Sequence, residues 1–252
     1  LMIGGVIAGI MGDKKGRLSV LFGSIIIYSI ANFFTGFVQD VQQYAYARFA
    51  AGIGLAGELG AGITLVSELL PKNKRGIGTS LVAGIGLFGA VAAYFTFRLT
   101  DDWRLCYKIG AGLGVMLLFL RVSVAESGMF KQVRESKVAR GNFLMFFTNA
   151  KRFRKYALAI LIGLPTWFVI GILVNLSNRF ATAFYGDNNI ESGRAIMYAY
   201  SAIAVGDILV GFVSQYFKSR KKALYLFYFF AIVSGIYFFS GNIRNDASMY
   251  IA

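Results

Sequence analysis

The 252-residue chain contains no histidine, one cysteine and two prolines, and only 15% of its residues are charged. The missing histidine removes the commonest general base and the commonest metal ligand. With Cys106 alone no internal disulfide can form, and cysteine usage says nothing of the redox compartment. Acidic residues are scarce as well, 12 against 26 lysines and arginines, which leaves a net charge of +14. Such an excess raises nucleic acid as a partner, but the cations gather in short stretches between apolar runs and build no continuous basic face. No apolar run carries a catalytic pair. The expectation is therefore no enzyme, no cofactor, no metal site and no nucleic-acid partner.

What the chain does have is apolar length. Hydrophobic residues make up 57% and glycines number 30, too apolar for a soluble globule of this size. Runs at 18–38, 44–70, 77–97, 103–124, 157–177, 196–217 and 223–240 each approach the roughly 20 residues that cross a bilayer. The first, third and fifth carry no formal charge. Residues 1–11 are too short to cross and are expected to be the tail of a helix, and 248–252 the opening of another. The predicted fold is all-α: an incomplete polytopic membrane helix bundle of seven full spans with a partial helix at each end.

The connections alternate in charge. Those at 14–17, 72–75, 131–155 and 218–222 are rich in lysine and arginine, while those at 39–43, 100–102, 187–194 and 241–246 are poor in them. By the positive-inside rule the first set is cytoplasmic. The expected organisation is an N-terminal helical half at 1–125, a cytoplasmic central loop at 126–155 and a truncated C-terminal half at 156–252. Within the loop the apolar patch 143–147, flanked by basic residues, reads either as a surface amphipathic segment or as a tethered linker.

Two stretches resemble each other across about two hundred residues. GIMGDKKGRL, from Gly9 to Leu18, places Asp13, Lys14, Lys15 and Arg17 in a short loop between apolar runs, and GFVSQYFKSRKKAL, from Gly211 to Leu224, does the same late in the chain. An internal repeat of two similar helical halves follows. Two other stretches, Gly52-x-Gly54-x-x-Gly57 and Gly84-x-Gly86-x-x-Gly89, match the dinucleotide fingerprint. That fingerprint works only where a strand ends and a helix begins. Both sit inside apolar runs, so they are read as close-packing glycines, continued by Gly60 and Gly62, and no nucleotide is expected.

Ionisable groups within lipid are expensive, so those that remain are expected to face an aqueous cavity or a partner. Arg48 and Glu58 lie on one span about 15 Å of rise apart, too far to pair with each other. Glu58 therefore needs a partner from another helix: a permanent cation makes it structural, whereas a polar group or a solute lets it exchange a proton. Asp207 lies mid-span on a stripe with Gly211, Ser214 and Lys218. Asn32, Thr166 and Asn175 read as packing contacts or cavity donors, the second reading being favoured for Asn175 alone. Trp167 follows Pro165 in a helix that the proline is expected to kink.

Gly9-x-x-x-Asp13-Lys14-x-Gly16-Arg17 resembles the signature loop between the second and third helices of the major facilitator superfamily. Arg48-x-x-x-Gly52-x-Gly54-x-x-Gly57 is similar to the arginine-glycine motif of that family's fourth helix. Glu68, Pro71 and Arg75-Gly76 resemble the end of the same helix in the sugar-porter and metabolite:proton symporter branches. Asp102-Trp103-Arg104, Arg121, Glu126-Ser127 and Phe130 extend the likeness. The resemblance implies a cytoplasmic latch of Gly9, Asp13, Lys14, Gly16, Arg17, Glu68 and Arg75. A carboxylate in the headgroup region needs a cation, and Arg75 at the neighbouring cytoplasmic turn is the nearest to Asp13 by topology, so an ion pair from Asp13 to Arg75 or from Arg17 to Glu68 is expected. The resemblance also implies twelve helices, of which the first and most of the last three lie outside this sequence.

Two departures stand out. Gln215 replaces the acid of the second signature loop, which weakens a latch there, and the span 77–97 lacks the antiporter proline. The resulting expectation is a multi-pass protein of the inner or plasma membrane. It would be a secondary transporter of a small organic solute with proton-coupled symport, Arg48, Glu58, Asn175 and Asp207 touching solute or coupling ion, and lipid, solute and protons as partners. The alternatives are a facilitative uniporter and a non-transporting scaffold or receptor on the same fold.

Overall fold

A computed structural model of the chain describes residues 1–121, 141–186 and 190–251. Every element among them is helical: α1 (Met2–Lys15), α2 (Arg17–Thr35), α3 (Val41–Leu69), α4 (Arg75–Thr100), α5 (Trp103–Arg121), a 3-10 turn (Phe143–Phe146), α6 (Ala150–Phe168) continuing into a π-helix (Val169–Val174), α7 (Ser177–Tyr185), α8 (Ser192–Tyr216), α9 (Arg220–Phe239) and α10 (Asp246–Ile251). Seven helices among the described residues are long and apolar enough to cross a membrane, the fifth being α6 with its π continuation. They coincide with the seven predicted spans. Glu126, Ser127, Phe130 and the basic residues Lys131 to Arg140 lie outside the described residues, as does Asn188 of the sixth connection.

Helix ends follow local chemistry. Asp40 caps α3 by accepting from the Gln43 N–H at 2.7 Å, and Asn149 caps α6 by accepting from Lys151 N at 2.9 Å. Asp101, at φ 50°, ends α4, and Gly186, at φ 76°, ends α7. The charged stretch expected as a loop after residue 11 is instead helical. α1 runs to Lys15, Gly16 alone makes the turn at φ 103°, and α2 begins at Arg17. Only glycine takes that backbone conformation without strain, so a single residue suffices where a loop was expected.

The chain divides into two compact units, Leu1–Val82 with Phe95–Met145, and Ala83–Tyr94 with Phe146–Ala252. In the first, α2 packs against both α3 and α5, and α1 against α3. Val20, Leu21 and Ile25 of α2 are buried there with Ala51 and Leu65 of α3 and Ala111 of α5. Close approach depends on missing side chains. A Cβ at Gly54 would lie 2.8 Å from the Tyr28 backbone nitrogen, and one at Gly57 2.7 Å from the Ala8 Cβ. The second unit has its own small core, Leu173, Ala181, Ile190, Phe238, Ile243 and Met249, gathered where the π-helix, α7, α9 and α10 meet. Large side chains such as Ile30, Phe34, Phe119, Trp167, Phe229 and Ile236 point outward. Lipid is the solvent for such a surface, and helices are the elements whose backbone groups need no water.

Around Pro165 the span changes its register. The ring has no N–H to give to the preceding turn, and four residues later the helix widens to π, Asn175 N donating to Ile170 O at 3.3 Å. The Tyr228 hydroxyl of α9 donates to the Ile162 carbonyl beside the proline.

Candidate functional site

Two groups of charged side chains form in the first unit. At the α1–α2 turn, the Arg17 guanidinium donates to the Gly12 carbonyl and pairs with Asp13 at 2.9 Å, the two residues being one helical turn apart. Its second terminal nitrogen reaches Glu68, near the end of α3, at 3.2 Å. Arg17 and Glu68 are 17% and 13% exposed, whereas Asp13 is 51% exposed, so the pair to Glu68 is the better shielded of the two. Three helix ends are thus tied through one arginine. Of the two ion pairs expected, Arg17 to Glu68 is present, and Asp13 takes Arg17 as its cation. Arg75 Nε donates to the Leu70 carbonyl at 3.0 Å, closing the end of α3.

The remaining residues of the expected latch serve the turn in other ways. Gly16 makes the turn itself, at φ 103°, and Lys14 lies against Gly141, whose added Cβ would be 3.0 Å from the lysine Cε. Gly9 lines a small cavity of about 140 Å³ between α1 and α3, together with Gly5, Gly12, Asp13, Gly60 and Thr64. Small residues on both walls leave this space open.

The second group joins α3 to α5. Glu58 pairs with Arg121, the last residue of α5, at 2.8 Å, and each side chain is 21% exposed. The partner is a permanent cation from another helix. Arg121 Nη1 is itself buried and has no hydrogen-bond partner among the described residues. Tyr28 and Ser29 of α2 close over Gly114 of α5 nearby, where an added Cβ would lie 3.2 Å from Ser29 Cβ and 3.3 Å from Tyr28 Cε2. Nearer the other end of α3, Arg48 donates to Asn32 Oδ1 at 3.3 Å and sits 5.4 Å from the Tyr107 ring centroid. Tyr107 meets Tyr44 hydroxyl to hydroxyl at 3.2 Å. Beyond them a cavity of about 480 Å³ is walled by Asp40, Tyr44, Trp103, Arg104 and Tyr107.

In the second unit Asp207 is half-buried on α8, with no ion-pair or hydrogen-bond partner among the described residues. Gly211, one turn along the same stripe, is buried. Asn175 ends the π-helix with its side chain exposed. Gly84 packs on α8, where an added Cβ would lie 2.8 Å from the Ala204 carbonyl, but Gly60, Gly62, Gly86 and Gly89 have nothing within 4 Å of such an atom among the described residues. The close-packing reading thus covers Gly54, Gly57 and Gly84, and those other four border open space. Both fingerprint matches fall inside helices, α3 and α4, whose amides are engaged in the helix itself.

Sequence reasoning treated Arg121 only as a marker of resemblance and left Tyr44 and Tyr107 out of the site. Arg121 had a usable signal, being a lone cation near the end of a span that lacks acids. Among the described residues no cluster of three or more His, Cys, Asp and Glu comes together.

The sequence profile of the Major Facilitator Superfamily matches residues 1–252. A "Probable 4-methylmuconolactone transporter" of Cupriavidus pinatubonensis is 32% identical over 177 residues, covering 68% of this chain and 40% of that protein. A "Putative proline/betaine transporter" of Staphylococcus aureus is 31% identical over 202 residues, 72% of this chain and 41% of its own length. The "Inner membrane metabolite transport protein YhjE" of Escherichia coli is 30% identical over 204 residues, 72% of this chain and 45% of its own. The chain thus spans less than half the length of these relatives. No solved structure matches it significantly.

Proposed function

From the premise that the chain belongs to the major facilitator superfamily and is a multi-pass integral membrane protein, we propose that it is part of a secondary transporter. In this reading a small organic solute crosses by alternating access, coupled to protons moving in the same direction. The names of its relatives, which speak of a methylmuconolactone, of proline or betaine and of metabolites, support solutes of that size and polarity.

The observation that carries the coupling is the contrast between two carboxylates within spans. Glu58 faces Arg121 at 2.8 Å, a permanent cation from another helix that supplies its counter-charge. Asp207 has no cation among the described residues, and an unpartnered carboxylate within a span is the group proposed to take up and release a proton as water reaches it from alternate sides. Glu58 therefore becomes a structural partner of Arg121, and Asp207 the proton carrier. Arg48, held by Asn32 and Tyr107, and the exposed Asn175 are the proposed solute contacts. The Arg17 cluster is the proposed cytoplasmic latch.

The test uses the full-length transporter in vesicles, with proline, betaine or the lactone as labelled solute. Asp207→Asn should abolish proton-driven accumulation and leave solute exchange intact. Accumulation at the unaltered rate would remove Asp207 from the mechanism, and equilibration without accumulation in the unaltered protein would make it a uniporter.

A further inference from the structure

We propose that the first two turns of α6 are a binding site for anionic phospholipid headgroups. Lys151, Arg152, Arg154 and Lys155 put four cations into five residues, and every one of them is exposed. None has an ion pair or side-chain hydrogen bond among the described residues. From Gly141 to Gly186 the sequence contains no aspartate or glutamate, so the element supplies no counter-charge of its own. The local physics runs against this placement. A helix N-terminus is the positive end of the peptide dipole and favours acids, yet here it carries only cations and is capped by the neutral Asn149. Like charges one turn apart add to the repulsion. Such a turn is relieved by anions from outside.

Its depth says which anions. After Lys155 the helix and its π continuation run uncharged from Tyr156 to Val174, about 28 Å of rise, close to the roughly 30 Å of a bilayer's hydrocarbon core. The four cations are thereby held at the level of the phosphates. At 100° per residue they fan over about 160° of the helix circumference, and Phe153 falls outside that arc. Phe153 meets Phe147 at 5.8 Å between ring centroids, and Phe146 stacks on Tyr156 at 4.9 Å. Both members of the Phe147–Phe153 pair stay about half exposed. A soluble phosphate has no use for exposed rings, whereas a phospholipid offers the glycerol and upper acyl chain that they contact. The guanidinium forks of Arg152 and Arg154 suit phosphate geometry, and the lysines add point charge. The site rests on α6 as a membrane span and not on the identity of the solute, so it stands or falls separately from the transport reading.

The experiment compares full-length protein in nanodiscs of phosphatidylcholine with a minority of phosphatidylglycerol, counting retained lipids by native mass spectrometry. Lys151→Gln with Arg152→Gln, Arg154→Gln and Lys155→Gln should cut retained phosphatidylglycerol, by about fivefold for each charge removed, and leave phosphatidylcholine unchanged. Lys72→Gln with Lys74→Gln, which neutralises a different basic turn, should change retention much less. Should the fourfold variant fail to fold, Lys151→Gln with Lys155→Gln and Arg152→Gln with Arg154→Gln, made separately, give the same reading in halves. Phe147→Ala with Phe153→Ala should weaken retention while all four charges remain. Undiminished retention in the charge variants, an equal loss in the Lys72 and Lys74 control, or full displacement by millimolar inorganic phosphate would overturn the proposal.

Discussion

At residue 16 a single glycine carries the chain from α1 into α2, whereas at 217–219 three residues carry it from α8 into α9, with Lys218 at φ 49°. The first turn is cross-tied: Arg17 joins the Gly12 carbonyl, Asp13 and Glu68. In the second the acidic position is Gln215, and Ser219 caps α9 by accepting from Lys222 N at 3.5 Å. Two stretches of similar composition thus do different work, one fastening three helix ends and the other ending one helix and starting the next. With a single residue in the first turn, Arg17 lies within reach of both acids.

The comparison extends to packing, and there the largest effect is expected. Gly57→Leu would drive a side chain into Ala8 and Val20, whereas Gly86→Leu meets nothing within 4 Å among the described residues. The first should lose about 3 kcal/mol or more of stability and the second close to none, read as thermal unfolding of the purified protein in detergent. Equal losses at the two sites would show that glycine content, and not contact, sets helix packing here.

Next in size is the Glu58–Arg121 pair. Arg121→Ala leaves the carboxylate alone within a span and should cost about 3 kcal/mol, while Glu58→Gln with Arg121→Gln removes both charges and should recover much of that loss. If the double variant is no better than Arg121→Ala, the two charges do not act as a pair. Smallest are the turns themselves. Gly16→Ala should destabilise by about 1 to 2 kcal/mol, because φ 103° suits only glycine, and Lys218→Gly should stabilise by up to about 1 kcal/mol by relieving a left-handed backbone. Opposite signs at the two turns would make the difference between them a backbone effect.

The spans were legible because lipid leaves a chain few options: about twenty apolar residues without charge have to be helix. Their ends were less so. Arg17, Arg75 and Lys151 to Lys155 were placed in connections from their charge, yet all are helical, since a terminal turn can hold charge in the headgroup region and keep its hydrogen bonds. The pair Arg17 to Glu68 was reachable, because charges at neighbouring turns on one side of the membrane need counter-charges. Arg121 as the partner of Glu58 was not, as it sits 63 residues away on a helix whose packing no local pattern encodes.

The sequence by itself determined that this is a membrane helix bundle, where its helices lie, and which few ionisable residues are left within them. Those follow from composition and periodicity, which act over neighbouring residues and need no knowledge of the fold. Only the tertiary structure decided that Glu58 has a cation and that Asp207 has none among the described residues, and that Gly57 is crowded while Gly86 is open. Such facts depend on which helix faces which, and that is fixed by side-chain packing between segments far apart in the chain.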